Sequence, residues 1–148
     1  MDWPAIFVAS PPWCGFFALG IDDVNIEGIS YLNELVLEDL VDLFECIKNA
    51  RPCVIELDQE GHETTISVSR SKTMAIFNDT DVILYKVLND DEIEQMWDSF
   101  KSSVLKNKEA WFDHFYAPIA IDNDVDPQDP SCDKYRKSYY KHLEALFA

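Results

Sequence analysis

"CVIELDQEGHETTISVSRSKTMAIFNDTDVILYKVL", residues 53–88, decides the fold. Four runs within it, "CVIELD", "ETTISVS", "TMAIFN" and "DVILYKVL", are rich in Val, Ile, Thr and Tyr. Branched and aromatic side chains suit a pleated, half-buried surface, and short polar breaks carry the turns between them. The stretch therefore predicts a four-stranded antiparallel meander.

Toward the N-terminus, residues 5–9 and 14–21 are apolar runs that predict two strands, with Asp22–Gly28 as a loop. Ser30 is a candidate N-cap for a helix reaching about Ala50, with Lys48 and Arg51 near its end and Pro52 beyond. On its wheel Leu32, Leu35, Val36, Leu40, Leu43, Phe44 and Ile47 share one apolar arc. The opposite side centres on Glu34, Glu38 and Glu45, with Tyr31, Asp42, Val41 and Leu37 at its margins. Asp39 falls at the edge of the apolar arc, where it either pairs with a nearby donor or faces a groove and meets a cation.

Beyond the meander, Asn89 followed by Glu92 predicts a capping box. It opens a helix to about Asn107 that carries Ile93, Met96, Trp97, Phe100 and Val104 on one side. "EAWFDHFYA" predicts a short helix, residues 118–131 a Pro- and Asp-rich loop, and residues 132–146 a last helix with Tyr135, Tyr139, Leu143 and Leu146 aligned. The expected fold is α+β, an antiparallel meander with helices packed on it, as one domain over residues 1–148. Its expected element order is ββ-α-ββββ-αα-α.

The 148 residues carry a net charge of −16, distributed unevenly. Residues 1–47 hold nine acids and no base, residues 48–97 ten acids and five bases, and residues 98–148 nine acids and seven bases. Such a field repels nucleic acid and anionic membranes and attracts a basic partner. No apolar run approaches a membrane span, and the N-terminal segment lacks a basic leader, so a cytoplasmic location is expected. In that compartment Cys14, Cys46, Cys53 and Cys132, which form no C-x-x-C or zinc spacing, are expected as free thiols.

Motifs for chemistry are sparse. No glycine-rich phosphate loop is present, and His62-Glu63 is half of a zinc helix motif that Ile66 leaves incomplete. "DNDVDPQDPSCD" places Asp122, Asp124, Asp126 and Asp133 at positions 1, 3, 5 and 12 of a calcium loop, but Pro127 stands where the turn demands Gly. These four are weak candidate calcium ligands, and a small calcium-binding protein or a carboxylate-using enzyme is the alternative reading. No cofactor is expected. Trp13, Phe16 and Phe17 lie close together beside acidic segments, as do the rings of Trp111–Tyr116; any left exposed would anchor an interface.

The acidic helix "NELVLEDLVDLFE" followed by "CVIELDQEGHETTISVSRSKTMAIF" resembles, in class and layout over about two thirds of the chain, the immunity proteins of bacterial contact-dependent inhibition and related polymorphic-toxin systems. Phage-encoded nuclease inhibitors have the same profile. The resemblance implies a cytosolic antidote that binds one cognate toxin domain, most naturally a nuclease whose cleft is basic to hold phosphates. From the charge stripe, the expected partner-binding residues are Asp22, Asp23, Glu27, Glu34, Leu37, Glu38, Val41, Asp42 and Glu45.

Overall fold

The computed structural model describes residues 4–13, 16–29, 33, 35–59, 61–113, 126 and 129–148. The meander forms as expected: β4 (Cys53–Asp58), β5 (Glu63–Val68), β6 (Thr73–Phe77) and β7 (Val82–Val87) pair in sequence order, all antiparallel. Alternation sorts their side chains. Ile55, Leu57, Ile66, Val68, Met74 and Ile76 are buried on the inner face, while Val54, Glu56 and Tyr85 are exposed on the other.

A second sheet precedes it. β1 (Phe7–Ala9) and β2 (Phe16–Ile21) are joined by β3 (Val24–Ile29), in the order β1-β2-β3. This corrects the expected loop at Asp22–Gly28. Ile21 pairs with Val24, so only Asp22 and Asp23 form the turn, with Asp22 at φ 51°. Gly28 then lies opposite Phe17, and a Cβ at Gly28 would run into the Phe17 ring.

α1 (Val36–Lys48) begins later than expected. Ser30 lies outside the described residues, and no side chain caps this helix. Asn33 is committed elsewhere: its Nδ2 donates to the carbonyl of Asp58 at 3.0 Å and its Oδ1 accepts from the Asp58 N–H at 3.1 Å. That pair of bonds serves the main chain at the end of β4. At the other end Ala50 takes φ 54°, Arg51 N–H donates to Cys46 O at 2.8 Å and Ala50 N–H to Ile47 O at 3.3 Å. These are the two bonds of a Schellman cap, built without its usual glycine.

α2 (Asp90–Leu105) begins at the expected capping box, with Glu92 N–H donating to Asn89 Oδ1 at 2.8 Å and Asn89 N–H to Glu92 Oε1 at 3.2 Å. Residues 108–113 are helical; the rest of the segment read as "EAWFDHFYA" lies outside the described residues. A 3-10 turn at Pro130–Cys132 leads into α3 (Asp133–Leu146), close to the last predicted helix.

The layers share one core. α1 packs against β4, β5 and α2, while α2 packs against β1. At the junction Phe7, Phe44, Trp97, Phe100 and Phe147 form a ring cluster, with Phe7–Phe44 centroids 5.0 Å apart and Phe100–Phe147 5.2 Å apart. Edge-on and offset contacts of this kind add to the area each ring buries. Truncating Phe44, which touches Phe7, Trp97 and Phe100, would cost about 3–5 kcal/mol. No helix among the described residues is long and apolar enough to cross a membrane.

Candidate partner-binding face

The exposed side of α1 carries Asp39, Asp42 and Glu45, with Glu38 half-buried beside them and Lys48 exposed at its end. Asp39, Asp42 and Glu45 make no ion pair among the described residues, and the stripe runs through Asp39 rather than through the expected Glu34 and Glu38. Partial burial, then the charges of Asp42 and Glu38, raise the pKa of Asp39 above the ordinary carboxylate value. Asp39 thus belongs to the solvent-facing stripe.

Several expected partner residues need correction. Leu37 and Val41 are buried, at 1% and 8% exposure, because α1 is covered by both the meander and α2 and so hides a wider arc than a helix lying on one surface. Leu35, expected inside, is 62% exposed. Asp22 is not free for a partner. Its Oδ2 pairs with Lys86 Nζ at 3.0 Å, its Oδ1 accepts from the Ile6 N–H at 3.0 Å, and Lys86 also holds Glu92 at 3.0 Å. Glu38 is within 2.9 Å of His142 Nε2 on α3. Asp23 and Glu27 are exposed on the β2–β3 hairpin and do not line the cleft described below. Glu34 lies outside the described residues.

Where α1 meets α2, the surface opens into a cleft of about 680 Å³. Phe44, Ile93 and Trp97 are its apolar lining, and Glu45, Asp90, Glu94 and Asp98 its acidic lining, with Lys48 and Lys72 at the same site. Lys72 is bonded to Asp90 at 2.7 Å. Glu45, Glu94 and Asp98 have no ion-pair partner among the described residues. Asp90, Glu94 and Asp98 are spaced four apart on α2, so they form one column; like charges in that spacing weaken a helix rather than support it. A guanidinium or ammonium group entering here would meet carboxylates from two helices and the half-buried ring of Trp97.

Sequence reasoning found Glu45 and missed Asp90, Glu94 and Asp98. Their four-residue spacing is visible in the sequence, but nothing local says which helix the acidic face of α2 will stand beside. The exposed aromatic expectation holds for Trp13 and Phe16, 78% and 51% exposed at the β1–β2 hairpin, whereas Phe17, Trp111 and Phe112 are buried. His114, Phe115 and Tyr116 lie outside the described residues.

The other candidates do not assemble a catalytic group among the described residues. His62 is exposed, and among the described residues no cluster of three or more His, Cys, Asp or Glu is placed to hold a metal. Of the calcium-loop residues, Asp122 and Asp124 lie outside the described residues, Asp126 is exposed, and Asp133 bonds Arg136 at 2.6 Å. Cys46 and Cys53 are free, half-buried thiols, and Cys132 is a buried one; Cys14 lies outside the described residues. Burial, then the adjacent Cys46 thiol, pushes Cys53 up to about 11, so it is protonated and a weak nucleophile at neutral pH.

No known family model, curated protein or solved structure matches the chain.

Proposed function

We propose that this protein is an acidic inhibitor of the immunity type, which binds a basic toxin domain in the cytoplasm and neutralises it. A nuclease is the toxin class whose chemistry fits best, because a cleft that holds phosphates must be basic. One observation carries the reading: Glu45 of α1 and Glu94 and Asp98 of α2, which have no ion-pair partner among the described residues, line one cleft with Phe44 and Trp97, and Asp42 stands on α1 outside it. Keeping these charges unpaired is unfavourable in the free protein and favourable once a positive surface covers them. The acidic field speeds encounter, and the aromatic lining offers a desolvated seat for an Arg or Lys side chain. The same field disfavours direct binding of nucleic acid.

The test is binding to the basic toxin domain encoded beside this protein's gene, with growth rescue as the cellular readout. Association should slow steeply as salt rises. Reversing Glu45, Glu94 and Asp98 to Lys together should weaken binding at least about a hundredfold, on the order of 3 kcal/mol, with the circular dichroism unchanged. Unaltered affinity in that folded variant would reject the cleft as the docking site.

A further inference from the structure

β7 is the last strand of its sheet, and no described strand pairs with its far edge. Leu88 N–H donates to Lys72 O at 2.8 Å, which fixes the alternation: Leu84, Lys86 and Leu88 turn their main-chain groups toward β6, and Tyr85 and Val87 turn theirs outward. Among the described residues, no hydrogen bond outside the β6–β7 ladder involves the main chain of Tyr85 or Val87. Their side chains are equally bare, with Tyr85 71% and Val87 64% exposed.

Edges of this kind are normally blunted by charge, proline or a bulge. Here the bulge lies at the start of β7, beside Ile76 and Phe77, and leaves Leu84–Val87 regular. The one charge on the strand, Lys86, points to the inner face and is held by Asp22 and Glu92. No carboxylate occurs from Val82 to Leu88. On the outer face the nearest acids are on β4 and β5, roughly 10 Å or more from β7 at ordinary strand spacing, and otherwise acids are confined to the turns at its ends.

We infer that β7 is a self-association edge, at which a second copy of this chain adds its own β7 antiparallel to continue the sheet. Two features favour a second copy as the occupant. A chain of net charge −16 repels itself wherever carboxylates face each other, and β7 is free of them. The strand is also self-complementary about Tyr85. With Tyr85 opposite its symmetry mate, the outward main-chain groups of Tyr85 in the two copies exchange hydrogen bonds, and Val87 falls opposite the bulge at Ile83 of the other copy. Lys86 lies opposite Leu84 rather than another Lys86. Aromatic and β-branched cross-strand pairs of this kind are favourable. No residue of β7 lines the α1–α2 cleft, so the inference does not depend on the proposed partner.

Sedimentation of the purified chain over a concentration series tests it. The expected result is a reversible dimer that tightens as salt is added, because screening removes the repulsion between acidic copies. Tyr85→Glu and Tyr85→Lys should each raise the dimer Kd at least about tenfold, since either places like charges across the two-fold axis. Val54→Glu, on the opposite edge strand, should leave it unchanged. Amide exchange at Tyr85 and Val87 should slow with protein concentration, which reads the edge without any substitution. A monomer at every concentration and salt overturns the inference, as does a dimer that survives both Tyr85 variants. Disruption by Glu but not by Lys would assign the effect to overall charge. A chain that stays monomeric yet loses binding to the basic domain on Tyr85→Glu would give the edge to a strand of that partner.

Discussion

The hydroxyl oxygen of Ser99 on α2 accepts the main-chain N–H of Phe7 on β1 at 2.9 Å. It is the centre of a column: Ala5 N–H donates to Gln95 Oε1 and Ala9 N–H to Ser103 Oγ, each at 2.9 Å. Helix residues four apart rise about 6 Å and strand residues two apart about 6.6 Å, so a helix laid along an edge strand can serve every outward N–H in turn. α2 thereby closes the free edge of the first sheet. Ser99→Ala should lower stability by about 1–3 kcal/mol in urea unfolding, because the Phe7 donor is left buried and unpaired; Ser103→Ala should act likewise at Ala9. A loss below about 0.5 kcal/mol in both would mean that water replaces the hydroxyls.

Much of this architecture is legible in the residues, and the exceptions have physical causes. The meander is readable because its alternation and turns are local, and α2 because Asn89 and Glu92 cap each other. β3 is masked by its own ends: "VNIEGI" alternates, but Asp22-Asp23 and Gly28 have the chemistry of loop residues. Gly28 is there because Phe17 leaves no room for a Cβ. Gly28→Ala should therefore cost about 1–3 kcal/mol in thermal or denaturant unfolding, as an overpacked contact does. The start of α1 and the burial of Leu37 and Val41 were not legible, because they depend on Asn33 reaching Asp58 and on α2 covering α1.

Lys86 ties the capping box of α2 to the β2–β3 turn. The Lys86 hydrogen bond, then the Asn89 N–H, holds Glu92 below the ordinary carboxylate value. Burial works against the Lys86 charge, but its bonds to Glu92 and Asp22 prevail and raise its pKa. Glu92 contributes stability above about pH 4.3 and loses it as pH falls through its depressed value; Lys86 contributes fully below about pH 10.4 and loses it as pH rises through its raised one. Lys86→Met should cost about 1–3 kcal/mol between these limits and progressively less beyond either. A penalty independent of pH, followed by denaturant titration from acid to alkali, would assign the effect to packing alone.

Ala50 closes α1 from the left-handed region, at φ 54°. A Cβ disfavours that conformation by about 1–2 kcal/mol, while glycine brings extra freedom to the unfolded chain. Ala50→Gly should therefore raise stability by a net amount of about 0.5–1 kcal/mol, visible as a higher melting temperature. A decrease would show that the methyl group packs favourably enough to outweigh the strain.

Asp39 links the charge stripe to its thermodynamic consequence. Its raised pKa, caused first by burial and then by Asp42 and Glu38, means that the folded chain holds its proton more tightly than the unfolded one. Ionised Asp39 therefore works against folding at neutral pH, and that penalty fades as pH falls through its raised value. Asp39→Asn should stabilise the free protein at pH 7 by no more than about 0.5 kcal/mol, given its exposure, and should lose the advantage below about pH 3.9. In the proposed complex the sign reverses: the variant should associate more slowly with the basic partner, and the difference should shrink at high salt. A gain in stability together with a loss of association rate is the signature of a charge kept for binding. A carboxylate that merely keeps the surface soluble would leave the association rate unchanged.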